Sequence, residues 1–222
     1  TSGVPENSRN GKVLVAPGPV LTEYQKPCER VLFSAARDAN PFFHLFESCW
    51  MLAGRNDLAW LEQFNSRFHQ FSDDGVTLHG AYGHRWRNHW KIDQIKALIT
   101  LLRCEPNTRQ AVLAMWNPMV DLNKAHKDIP CNDMCFFDRR NDQLNMTVLC
   151  RSNDILWGCF GSNCVHFSYL QEYLAAHIGV PVGVYRQFSN NFHAYTATQG
   201  YASIDPTVIG QDDRYAEGTV KK

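Results

Sequence analysis

The sequence has no HExxH among its nine histidines and no CxxC among its eight cysteines. It has no P-loop and no GxGxxG. These absences argue against a zinc hydrolase, a zinc ribbon, a nucleotide triphosphatase of the P-loop type and a dinucleotide-binding unit. Charge of one sign is missing too: Lys and Arg total 22, Asp and Glu total 22. Bulk electrostatics therefore gives no case for a nucleic-acid partner, although a local basic pocket for a small anion stays open. No apolar run is long enough to span a membrane, and no signal-peptide pattern follows Thr1. There is no internal repeat, linker or low-complexity tract.

With 222 residues the chain can bury a sizeable core as one large domain or two small ones. The cysteines are dispersed and several sit in apolar runs. A reducing, cytoplasmic setting is expected, with seven of the eight as small buried thiols.

Residues 1–40 read as loops and short strands. Pro41 opens a helix whose apolar stripe would be Phe42, Phe43, Phe46, Cys49, Trp50 and Ala53, ended by Gly54. Residues 57–70 and 93–104 are predicted helical. Strands are predicted at 111–116, 134–138 and 144–151, the last two joined by the turn RNDQ. A long helix over 162–178 is stopped by Pro181, and 182–188 is a final strand. Helices first, then strands around a helix, predict an α+β fold with a mixed sheet.

Several residues break these patterns. PCND puts Cys131 directly after a proline, flanked by polar residues, at the mouth of a strand. A structural thiol needs no such setting; a nucleophile does. Glu47 lies on or beside an apolar stripe, either as a solvated flank or as a partly buried acid–base group. Arg151, Ser152 and Asp154 end a strand, where an arginine can clamp phosphate or close a turn. His193 and Tyr195 alternate and share a face. They read either as an amphipathic strand end or as a donor pair for a sugar hydroxyl. His166, in the long helix, is read as structural.

Taken in order, FESCWMLAG, GAYGHRW, NTRQAVLAMWNP, IPCN, RSND and FHAY resemble the thymidylate synthase family. The resemblance runs from about Arg9 to Tyr195, and implies one domain over 1–222 with a mixed sheet packed by helices and a sheet-to-sheet homodimer. It implies Cys131 as nucleophile, with Glu47, Tyr82 and Asp154 as its catalytic partners. Arg9 would bind substrate, Arg151 and Ser152 its phosphate, Arg109 would reach the neighbouring subunit's phosphate, and His193 and Tyr195 would hold the ribose. Phe68, Trp50 and Asp154 would meet 5,10-methylenetetrahydrofolate. The partners implied are a pyrimidine nucleoside monophosphate, folate and a second copy, with no nucleic acid or membrane, in the cytoplasm or in a host's cytoplasm if the gene is a phage's.

The departures are informative. Asn132 stands where methylating members have histidine, Gln110 replaces a second phosphate arginine, and Phe68 replaces a tryptophan beside folate. Where the family has GxPFN, this chain has GCFGSN, so either Ser162 or Asn163 reads the base. These changes resemble the hydroxymethylase branch. They favour C5-hydroxymethylation of a cytidylate (dCMP or CMP), with water attacking the exocyclic methylene. The alternative is a thymidylate synthase making dTMP from dUMP. A nucleotide-binding homologue without catalysis ranks lowest. The polar end DDRYAEGTVKK does not match the family segment that closes over the cofactor.

Overall fold

The computed structural model describes residues 3–34, 37–197, 214–216 and 218. Of the C-terminal stretch just mentioned, Arg214, Tyr215, Ala216 and Gly218 are described and the rest lies outside the described residues. Among the described residues seven strands form one mixed sheet: β1 (Val4–Ser8), β2 (Gly11–Val15), β3 (Val20–Tyr24), β4 (Val112–Ala114), β5 (Asn132–Arg140), β6 (Gln143–Asp154) and β7 (Val182–Tyr195). Their order is β1-β2-β7-β6-β5-β4, and β3 pairs with β7 as well. Every pairing is antiparallel except β6 with β7. That parallel pair needs a crossover, supplied by helix α6 of Ser162–Ile178 below.

The helices are α1 (Pro41–Leu52), α2 (Leu58–Leu61), α3 (Tyr82–Arg87), α4 (Gln94–Cys104), α5 (Pro118–Asp121) and α6 (Ser162–Ile178). Local chemistry sets their ends. The Asn40 side chain accepts the Phe43 amide ahead of Pro41, and α1 runs out at Gly54, which has φ +75°. Gly179 at φ +77° caps α6 two residues before Pro181. The β5–β6 turn holds Asn141 and Asp142 at φ +53° and +56°, the conformation a tight right-twisted hairpin demands.

Four expectations are corrected. Residues 57–70 are not one helix. The Asn65 side chain accepts the Arg67 amide, so the chain breaks there and restarts as a 3₁₀ turn over Ser66–Phe71. The apolar stripe of α1 holds only in part: Trp50 is buried as expected, but Phe42 is 71% exposed and Cys49 is exposed, while Ser48 and Met51 are buried instead. The last strand continues through Tyr195, because its far end pairs with β2 and with the end of β6. Of the eight free cysteines, Cys135, Cys150 and Cys159 are buried, whereas Cys49 and Cys104 are exposed. The expectation of seven buried thiols therefore fails.

The core lies between the sheet and α1, α3, α4 and α6, around Trp50, Trp86, Leu98, Met146, Phe167 and Leu170. Helix α3 reaches α1 through Gly83, where a Cβ would collide with the Met51 backbone. Arg85 is buried in the same helix. It donates to both oxygens of Asp121 at 2.6 and 2.8 Å and to the carbonyls of Met115 and His79. This pair ties α3 to the segment that leads to Cys131.

Candidate active site

Strand register assembles the site. Asn132 opposes Cys150 across β5–β6, so Cys131 lies beside Arg151, whose amide donates to the Cys131 carbonyl at 2.9 Å. A bulge between Asn132 and Met134 re-aims this end of β5. Across the parallel pair, Asp154 opposes His193 and Ser152 opposes Asn191. The ends of three strands thus bring a thiol, a guanidinium, a carboxylate and an imidazole into one cleft of about 650 Å³. It is lined by Arg9, Cys131, Arg151, Ser152, Asp154, Ser162, Asn163, His193 and Tyr195, with Trp116, Lys124 and Trp157.

A second cavity, of about 180 Å³, meets the first at Ser162 and Asn163. Glu47, Trp50, Phe68, Tyr82, Asp128 and His166 are in its wall. Every candidate residue therefore lines one cavity or the other, except Arg109, which is exposed on the edge before β4.

Arg151 holds the Cys131 segment from the side. Its Nε donates to the Pro130 carbonyl at 2.8 Å, and its Nη2 donates to Ile129 at 3.2 Å and lies 3.7 Å from the Cys131 Sγ. The half-buried thiol is pulled two ways: burial pushes it up, and the Arg151 charge draws it down less strongly. We expect Arg151→Ala to raise it further and to slow alkylation of Cys131 by iodoacetamide. Peptide mass mapping would separate this site from the exposed Cys49 and Cys104.

Tyr82 supports the same segment from below. Its buried hydroxyl oxygen accepts the amides of Cys131 and Asn132, both at 3.1 Å, and the Asn132 side-chain amide at 2.9 Å. Burial, then the nearby Cys131, pushes the phenol well above its usual range, so it acts here as a fixed neutral hydroxyl. Asn132 completes the bracket by accepting from Cys150 Sγ at 2.7 Å.

The next residue, Asp133, is half-buried and its Oδ1 has no hydrogen-bond partner among the described residues. Burial pushes this carboxyl up to about 6, against the pull of Arg151. The folded state then keeps a proton that the unfolded chain gives up, so stability falls as pH rises from about 4 to about 6. Asp133→Asn is expected to remove that slope. It should add about 1 kcal/mol at neutral pH after allowance for partial exposure, read as a shift in urea midpoint.

Arg9 sits in the β1–β2 turn and donates to the carbonyls of His126 and Lys127. With Lys124 and Arg151 it makes one side of the cleft cationic, a fit for a phosphate dianion. His193 Nδ1 is 2.9 Å from Asn191 Oδ1, and its ring meets Tyr195 edge-on. Asp154 Oδ1 accepts the amides of Leu156 and Trp157 and starts a π-helical turn over Ile155–Cys159. Phe68 packs on Phe43 and Phe71. Trp50 is 3% exposed with its indole N–H bound to the Asp57 carbonyl, so it is chiefly core and shows the cavity only an edge.

Three residues here were not singled out for the site from sequence. His166, read as structural, is buried, and it faces Glu47 with Nε2 and Oε2 3.0 Å apart. His44 lies within hydrogen-bonding distance of Ser162, 3.2 Å from its Oγ, and burial lowers the His44 pKa. Asp128 is the third. His44 and Ser162 belong to different helices, and Glu47 and His166 likewise, so no local spacing could show these pairs. Asp128 did carry a signal: a charge three residues before the cysteine.

Comparison with known proteins gives the family. The sequence matches the thymidylate synthase family over residues 38–203. It is 54% identical over 194 residues to the deoxyuridylate hydroxymethyltransferase of Pseudomonas phage M6, covering 87% of this chain and 55% of that protein. It is 39% identical over 202 residues to the protein of the same name from Bacillus phage SP01, covering 86% and 52%. A putative thymidylate synthase of Methanothermobacter marburgensis is 33% identical over 135 residues, covering 61% and 58%. This chain spans about half the length of these phage relatives. The crystal structure of thymidylate synthase from T4 phage superimposes with a TM-score of 0.71 at 20% identity, over 86% of this chain and 71% of that one. The chain belongs to the thymidylate synthase family.

Proposed function

We propose that this chain carries the site for C5-hydroxymethylation of deoxyuridylate with 5,10-methylenetetrahydrofolate as one-carbon donor. The observation that carries the reading is Cys131 beside Arg151 in a cationic cleft that also holds Asn163, His193 and Tyr195. The names of the phage relatives support the product and the uracil base. The cytidylate preference drawn from sequence gives way on this point. Ser162 already has His44 in hydrogen-bonding reach, whereas the Asn163 amide makes no side-chain hydrogen bond among the described residues. Asn163 then takes the base-reading place, through its donor and its acceptor.

The chemistry follows from the residues. Cys131 adds to carbon 6 of the ring and makes carbon 5 nucleophilic. Arg151 with Arg9 and Lys124 receives the phosphate, and His193 with Tyr195 the sugar. The second cavity fits a folate ring system: Trp50, Phe68 and Leu78 supply apolar walls and Glu47 supplies an acceptor for a ring N–H group, while Asp154 faces it from the adjoining first cavity. Methylenetetrahydrofolate supplies a carbon at the oxidation level of formaldehyde. Tyr82 and Asn132 keep the cysteine segment in place throughout. Arg109, exposed and outside both cavities, is in keeping with a role across a homodimer interface. The compartment that fits this substrate is the cytoplasm.

Folate absorbance tests the reading. Turnover of deoxyuridylate should consume methylenetetrahydrofolate with no rise in dihydrofolate. A stoichiometric rise in dihydrofolate would make the chain a methylating enzyme.

A further inference from the structure

Two carboxylates line the smaller cavity, and they are held differently. Glu47, on α1, has the His166 ring 3.0 Å away. Asp128, three residues before Cys131, has a backbone partner: the Gly80 amide donates to its Oδ2 at 2.8 Å. Gly80 is bare where this carboxylate rests. A Cβ there would stand 2.9 Å from Oδ1 and 3.0 Å from Cγ and Oδ2. The chain therefore keeps room for an acid at the edge of a cavity whose other walls are largely aromatic and aliphatic.

Burial pushes the Asp128 carboxyl up. The Gly80 amide and the charges of His79 and Arg85 work against this, and Asp73 works with it. A carboxyl held nearer to neutrality exchanges protons more readily at working pH. Its charge is also felt by Cys131.

We propose that Asp128 is the general base for the water that attacks the exocyclic methylene on carbon 5. This rests on the hydroxymethylase reading above. One water O–H bond breaks and its proton passes to Asp128. The oxygen forms a bond to the methylene carbon, and the C5=CH₂ electron pair moves into the ring as an enolate. The enolate then restores the C5=C6 bond and expels Cys131 as thiolate beside Arg151. Asp128 returns its proton to solvent. The one-carbon unit comes from methylenetetrahydrofolate, so no oxidant or reductant is needed. A polar base at this place favours water over hydride as the final nucleophile.

The test is Asp128→Asn. Asparagine keeps an oxygen for the Gly80 amide, so a purely structural role survives the change. Deoxyuridylate is given with methylenetetrahydrofolate and hydroxymethyl product is measured across pH. Exchange of the carbon-5 hydrogen is measured separately without folate; it needs Cys131 and not the water step. The variant is expected to lose hydroxymethyl product by about 100-fold or more, while its carbon-5 exchange does not fall, since loss of the nearby charge favours the Cys131 thiolate. Added thiol, which needs no base, should then trap the methylene as a thioether. The wild-type product rate should rise with pH along a limb that the variant lacks. The other ionisable groups facing the cavity region, Glu47, His166, His79, Asp73 and Cys131, are unchanged in the variant. Asp128→Glu should recover part of the product.

Wild-type hydroxymethylation by Asp128→Asn, with the same pH profile, would overturn the proposal. Parallel loss of product and exchange would overturn it too, since Asp128 would then act on the cysteine segment. A wild-type enzyme that exchanges the carbon-5 hydrogen but makes methyl product would overturn the underlying hydroxymethylase reading, and Asp128's role with it.

Discussion

Cys131→Ala is expected to abolish both hydroxymethyl product and exchange of the carbon-5 hydrogen, by about 10⁴-fold or more. Removal of the sulfur leaves the ring with no nucleophile in reach. Cys150, next along the sheet, is buried, donates to Asn132, and has its thiol pushed above the range of pH in which it could serve. Nucleotide binding should persist, because the cationic side of the cleft and the His193–Tyr195 pair are untouched. The pair of readouts matters. Loss of product alone could reflect folate binding, whereas loss of exchange without folate isolates the thiol. A variant that still exchanges the hydrogen would remove Cys131 from the mechanism.

Arg85→Met is expected to lower stability by about 3–5 kcal/mol, the cost of leaving a buried carboxylate without its partner. Arg85 and Asp121 are 1% and 2% exposed, and they are joined by two short bonds. Asp121 also accepts the Asn117 amide and meets His79 at 2.8 Å, so several segments loosen together. Urea unfolding of wild type, Arg85→Met and Arg85→Met/Asp121→Leu would read this. The double variant should be more stable than the single one, since neither charge then lies buried alone. A single variant within about 1 kcal/mol of wild type would show the pair to be dispensable.

The sequence made the second half of the fold legible because local chemistry agrees with the tertiary result there. Asn141 and Asp142 take left-handed turn conformations readily, and α6 ends where Gly179 permits it. The first half was harder. Helix α1 is apolar nearly all round, so spacing could not select its buried face, and Phe42 and Cys49 were placed inside wrongly. Asn65 offered the backbone a competing partner that periodicity does not see.

Most of the candidate site was legible for a different reason: its residues sit at strand ends, next to features that local pattern makes odd, such as a cysteine after a proline. The rest depends on contacts between distant segments. Glu47 meets His166 only because α1 packs on α6, and Asp128 is enclosed only because Gly80 has no side chain. Neither relation has a spacing to read.

Mass spectrometry of the nucleotide after incubation of deoxyuridylate, and separately deoxycytidylate, with methylenetetrahydrofolate tests the central claim most directly. The account predicts a hydroxymethyl gain on deoxyuridylate and none on deoxycytidylate. A methyl gain on deoxyuridylate, or a hydroxymethyl gain on deoxycytidylate alone, would contradict it.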